Sequence, residues 1–235
     1  MGLGRTTNQN MQQKAAVLSG ISLLIMAVVA AFAHGYVHSS LVVDGDATTT
    51  LKNIQASQGF RLEVLGWLII IIMDLVVSWG FYLFLKPFHA GYALLAGWLR
   101  FLYTAMLATA VSHLVVTNTI VQNSVGGTSD TVAQQVMDAI TTFEAMWSFG
   151  LIIFGLHLIA VGLVAWNTIK IPKVVSFLVV LAGFSYALIH FMYHFIPQLE
   201  NVTELLELIL MVPMVIGELG FGIWLLVKGR KVTMD

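Results

Sequence analysis

Six times along this chain, about twenty or more residues pass with no more than one Asp, Glu, Lys or Arg among them. The stretches are approximately Ala15–Val37, Val64–Leu85, Ala90–Thr117, Ala139–Trp166, Val174–Ile196 and Leu208–Val227. An α-helix needs about 20 mostly apolar residues to cross a hydrocarbon layer of roughly 30 Å. Membrane β-strands are shorter and alternate apolar with polar residues, which these runs do not. The expected fold is therefore all-α: a polytopic membrane protein with six transmembrane helices in one bundle.

Composition agrees with that pattern. Of 235 residues, 58% are hydrophobic and only 10% charged, whereas soluble domains carry roughly 25% charged residues. A formal net charge of −1 offers no basic face for nucleic acid. The absence of cysteine excludes disulfides, thiolate zinc sites, iron–sulfur clusters and cysteine nucleophiles. There is no HExxH, GxGxxG or Walker-type loop, so zincin proteolysis and nucleotide use have no local support.

Orientation follows from the basic residues beside the spans. Arg5, Lys14, Lys86, Lys170, Lys173, Lys228, Arg230 and Lys231 fall on one side, and Lys52 and Arg61 on the other. This asymmetry predicts both termini in the cytoplasm. The first span is too long for a cleaved signal peptide and is read as retained. The organisation expected is a cytoplasmic segment 1–14, a membrane domain 15–228 and a cytoplasmic tail 229–235. GDATTT (Gly45–Thr50) and GGTSD (Gly126–Asp130) read as turns in the outer loops. The Asn201–Val202–Thr203 triplet is read as an accidental sequon.

Ionisable side chains in hydrocarbon cost on the order of several kcal/mol unless paired or hydrated, so each is a candidate site. Asp74, Arg100 and Glu218 each lie about ten residues inside a span, near the midplane at 1.5 Å per residue. They can meet there, with His157 beside them. Residues eleven apart sit about three turns along one helix face. Glu63 and Asp74 have that separation, as do Glu207 and Glu218. The expected inward stripes are Trp67, Asp74, Ser78 and Phe81 in the second span, and Glu207, Met211, Met214 and Glu218 in the sixth. Two readings stay open: a structural ion-pair clamp, or a polar cavity that binds or passes something.

A second group gathers toward the outer face: His34, His38, Glu63, His113, Glu144, His190 and His194. His34–His38 and His190–His194 have the i, i+4 spacing that puts two imidazoles on one helix face. That set suits a metal, or a haem held by imidazoles. Hydrated interfacial histidines are the plainer alternative.

Four segments carry a family resemblance: LVVDGDATTTLKNIQASQGFRLEVLGWLIIIIMDLVVSWGFYLFLKP (residues 41–87), WLRFLYTA (98–105), FGLHLIAVG (154–162) and GELGFGIWLLVKG (217–229). In order and spacing the chain resembles the bacterial membrane family known as domain of unknown function 4386. The resemblance implies a six-helix integral membrane domain and supplies no activity, cofactor or catalytic residue. Asp74, Arg100, His157 and Glu218 lie within the matching segments; most of the outer histidines lie outside them.

The leading expectation is a polar network of Asp74, Arg100, His157 and Glu218 that binds or passes a small solute, lipid or proton. The competing class is an intramembrane enzyme or redox protein with a metal or haem on the outer histidines and Glu63 or Glu144. A third is an accessory subunit of a larger assembly. The partners expected are the lipid bilayer and a small-molecule or lipid ligand, with no nucleic acid.

Overall fold

The structure, a computed structural model, describes residues 2–124 and 129–232. Helix α1 (Gly2–Ala30) continues through a π-helical segment, Ala31–His38, and a last α-turn, Ser39–Leu41. A short helix α2 (Ala47–Ala56) follows, then α3 (Gly59–Leu85), α4 (Ala90–Asn123), α5 (Asp130–Trp166), α6 (Lys173–Phe195) and α7 (Glu200–Val227). Two 3-10 turns, Pro197–Leu199 and Gly229–Lys231, flank α7. Among the described residues there is no strand.

Six of these helices are long and apolar enough to cross a membrane: Gln9–Leu41, Gly59–Leu85, Ala90–Asn123, Asp130–Trp166, Lys173–Phe195 and the stretch Pro197–Lys231. Most outrun the apolar windows of the sequence, because a helix continues into the headgroup layer and beyond, where polar residues are tolerated. Their outward faces are apolar. Leu65, Leu68, Ile72 and Leu75 of α3 are 42 to 50% exposed, a patch that would be a liability in water and is the expected surface against lipid.

Proline marks three of the six connections between helices. Pro87 follows the end of α3, Pro172 is the N-cap of α6 and Pro197 opens the turn before α7; a proline ring fixes φ and removes the donor a continuing helix needs. Pro213 alone lies inside a helix, α7. The GDATTT segment, expected as a turn, is a turn only at its start. Gly45 takes a positive φ of 75°, which favours glycine. Asp46 then caps α2, its carboxylate accepting from the Thr49 backbone N–H at 2.9 Å and from the Thr49 hydroxyl at 2.7 Å. In GGTSD, Gly126 to Thr128 lie outside the described residues.

The chain divides into two compact units. One comprises Met1–Ile25, Met73–Thr104 and Phe149–Asp235; the other comprises Met26–Ile72 and Ala105–Ser148. In the first, small residues let helices touch at the backbone. A methyl group on Gly155 would lie 2.5 Å from the Gly183 carbonyl oxygen, and one on Gly183 would lie 2.6 Å from the Gly155 oxygen. Such close approach is how helices associate where water cannot drive them together. The Gln12 side-chain amide donates to the Phe84 carbonyl at 2.9 Å, tying α1 to α3. In the second unit, Ala33, Leu51, Phe60, Phe143 and Ile140 form part of a sealed core.

Candidate functional site

In the first unit, the stripe Asp74, Ser78 and Phe81 of α3 faces inward, all three side chains being buried. Ser78 donates to the Gly97 carbonyl at 2.8 Å, which aligns α3 with α4. Arg100, on α4, is fully buried, as are Asp74 and His157. Its Nε and Nη2 both donate to one oxygen of Asp74, Oδ1, at 2.8 and 2.5 Å. Asp74 Oδ2 is buried with no hydrogen-bond partner among the described residues. A guanidinium to carboxylate contact of this length is a charge-assisted bond, and it offsets part of the desolvation both charges have undergone.

The third guanidinium nitrogen fixes a tautomer. Arg100 Nη1 lies 3.3 Å from His157 Nε2, and since arginine has no acceptor, His157 Nε2 must accept. The ring's other nitrogen, Nδ1, carries the proton and donates to the Ala96 carbonyl at 2.8 Å. His157 therefore sits as a neutral imidazole. Two aromatic rings complete the shell: the guanidinium carbon is 5.8 Å from the Phe81 centroid and 5.2 Å from that of Phe154, within cation–π range.

Glu218 on α7 differs from Asp74. Its Oε1 is 3.8 Å from Arg100 Nη2, and its side chain keeps 20% of its exposure. That distance is an ion pair without a hydrogen bond. One permanent cation thus faces two carboxyl groups, one clamped and one loosely held. Of the stripe expected in α7, Met214 is buried but Met211 is half exposed. The buried face instead runs through Gly217, Phe221, Gly222 and Trp224, because glycine allows α7 to approach its neighbours where methionine would not. Glu207 accepts from the Tyr193 hydroxyl at 2.5 Å.

The second unit holds a separate cluster. His38 Nδ1 lies 2.7 Å from Glu63 Oε1, and Nε2 lies 2.9 Å from Glu144 Oε1. Two such contacts need two protons, and a neutral imidazole has one. The group of three therefore holds one extra proton, as an imidazolium or on a carboxyl. Glu63 is sealed, with Oε2 lacking a hydrogen-bond partner among the described residues, while Glu144 is 38% exposed. The Trp67 ring N–H reaches Glu63 Oε1 at 3.4 Å. Trp67, Phe143 and Trp147 pack on one another with centroids 4.9 to 6.0 Å apart. His34 lies edge-on to Trp147 and 4.9 Å from the His38 ring.

Of the remaining outer histidines, His113 is half-buried on α4 in this same unit, outside the group of three. His190 and His194 belong to the first unit, where His190 packs near Tyr186 and His194 lies edge-on to Phe149. Among the described residues, no group of three or more His, Asp or Glu is arranged to hold a metal ion. Phe154, Trp147 and the Ala96 carbonyl were not legible as site groups. An aromatic residue in an apolar span has no distinguishing signal, and a backbone acceptor has none at all.

Fold and site together define a multi-pass helical membrane protein with buried clusters of ionisable side chains. The chain belongs to the family described as domain of unknown function, DUF4386, whose model matches residues 18–229. It is also similar to an uncharacterised protein of Archaeoglobus fulgidus, 25% identical over 171 residues that cover 73% of this chain and 86% of that protein. No solved structure matches it.

Proposed function

We propose that this protein binds and exchanges a proton within the membrane, with Glu218 as the exchanging group and the Asp74–Arg100 pair as its fixed electrostatic reference. The observation that carries this reading is the 3.8 Å separation of Glu218 from Arg100, combined with its residual exposure. With both acids ionised the cluster carries one net negative charge; with one proton bound it is neutral, the cheaper state in a low-dielectric setting. Asp74 is committed to two hydrogen bonds from Arg100. Among the described residues Glu218 has no hydrogen bond to break, so in this reading it is the group that takes and releases the proton. Arg100 commits three of its five N–H donors here, one from Nε and one from Nη2 to Asp74 and one from Nη1 to His157, which holds the cation in place beside Glu218.

In this reading the membrane is the bacterial plasma membrane, as the family resemblance implies, and both termini are cytoplasmic, an orientation supported by the eight to two division of flanking basic residues. Because the chain has no native cysteine, single cysteines at positions 44 and 229 can be labelled from each side to test that orientation.

Proteoliposomes with a trapped pH dye test the proton reading. The wild type is expected to relax an imposed pH gradient, and Glu218→Gln to lose that relaxation while keeping its helical content. If wild type and Glu218→Gln relax the gradient equally, Glu218 is not the exchanging group and the reading fails.

A further inference from the structure

We infer that the first unit carries a specific site for an anionic phospholipid, its two acyl chains lying in two furrows on either side of Trp79. The first furrow runs between α3 and α4, with a volume of about 440 Å³, walled by Leu75, Trp79, Tyr82, Leu94, Trp98 and Phe101. Its floor is Gly97 and Ser78, the pair already joined by the Ser78 hydrogen bond. The second furrow, of about 500 Å³, lies between α1 and α3 and is lined by Asn10, Met11, Lys14, Leu18 and the same Trp79. Trp79 and Trp98 are 55% and 63% exposed. Two mainly apolar furrows that share Trp79 as a common wall suit a two-chain lipid better than a single helix, which would need one broad groove.

The dimensions agree. Lys86 to Leu75 is eleven residues of α3, or about 16 Å, close to half of a hydrocarbon layer of roughly 30 Å. A chain with its head at Lys86 would end near the depth of Asp74. Charge selects the headgroup. Lys14 lines the second furrow, and the Lys86 ammonium stands 5.4 Å over the Tyr82 ring at the mouth of the first. Both lysines are exposed. Residues 9–25, 75–104, 149–199 and 219–232 of this unit contain no Asp or Glu, so no carboxylate of these segments neutralises them. Basic residues at a membrane surface attract anionic lipid headgroups.

The test uses the full chain reconstituted in vesicles containing phosphatidylglycerol or phosphatidylcholine with brominated acyl chains, which quench nearby tryptophan. Quenching is expected to be stronger with brominated phosphatidylglycerol at equal mole fraction, and Trp79→Phe with Trp98→Phe should remove that excess. Lys14→Gln with Lys86→Gln should bring the two lipids to equality without affecting folding, since both side chains are on the surface. Gly97→Leu is a steric probe. A Cβ there meets only Tyr82 Cβ at 3.5 Å and the Ser78 carbonyl at 3.6 Å, so the new side chain would occupy the furrow and lower quenching by either lipid. Equal quenching by both lipids in the wild type would overturn the proposal. So would a headgroup preference that survives the double lysine change, or tryptophans shielded from both lipids because a second copy covers them.

Discussion

Arg100 and His38 are each set between two carboxyl groups, one sealed and one partly exposed: Asp74 and Glu218 in one unit, Glu63 and Glu144 in the other. In both clusters the sealed acid comes from α3, and in both it keeps one buried oxygen without a hydrogen-bond partner among the described residues. The central bases differ. A guanidinium cannot lose its proton in a protein, whereas an imidazole can. The arginine cluster is therefore held by a permanent charge, and its only variable is a proton on a carboxyl. The histidine cluster is held by protons alone, and losing one removes a hydrogen bond between helices. Similar ingredients thus give a fixed reference in one place and a breakable latch in the other.

The largest effect that could break this contrast is in Arg100. Arg100→Gln strands the sealed Asp74 charge and is expected to cost about 3–5 kcal/mol, read as a lowered unfolding midpoint in detergent. Replacing both partners, Arg100→Met with Asp74→Leu, should recover most of that loss. If Arg100→Gln costs no more than His38→Gln, permanence of the charge is irrelevant. A smaller loss, about 1–3 kcal/mol, is expected for Glu63→Gln, which leaves His38 facing an amide in a sealed place. Glu144→Gln should cost less than about 1 kcal/mol, because solvent already screens that contact.

The smallest effect belongs to Asp46, a carboxylate outside the spans that serves as the aqueous reference for both clusters. Its pKa is lowered by hydrogen bonds from the Thr49 backbone and then its hydroxyl. A depressed value means the cap contributes above the ordinary carboxyl pKa and is lost as the pH falls through the lowered one. Amide exchange in α2 is expected to quicken only in that acid window. Asp46→Asn, still able to cap, should abolish the acid dependence and keep the protection.

The six spans were legible because hydrocarbon imposes one length and one composition on anything that crosses it. The common depth of Asp74, Arg100 and Glu218 could be read for the same reason: residue counts convert directly into height. What could not be read was partnership. Sequence spacing grouped His34, His38, His113, His190 and His194 by height alone, whereas the structure assigns His190 and His194 to one unit and the other three to the second. Height carries no azimuth, and azimuth decides which groups touch. Helix α2 was hidden for another reason. It is too short and too polar to stand out as an apolar run, although Asp46 three residues before Thr49, followed by Leu51 and Ile54, forms a capping pattern.

The π-helical segment Ala31–His38 gives the first span an unusual sensitivity to length. Rewinding it as α-helix would change the turn per residue over the stretch that carries His38, and removing one residue turns an α-helix by about 100°. His38 would then leave Glu63 and Glu144, or everything before residue 31 would rotate to keep it there. A one-residue deletion in the α-helical stretch just before residue 31, harmless to hydrophobicity and to span count, should thus act like loss of the imidazole itself, whereas one between 31 and 38 lets the segment rewind as α-helix with His38 kept near its phase.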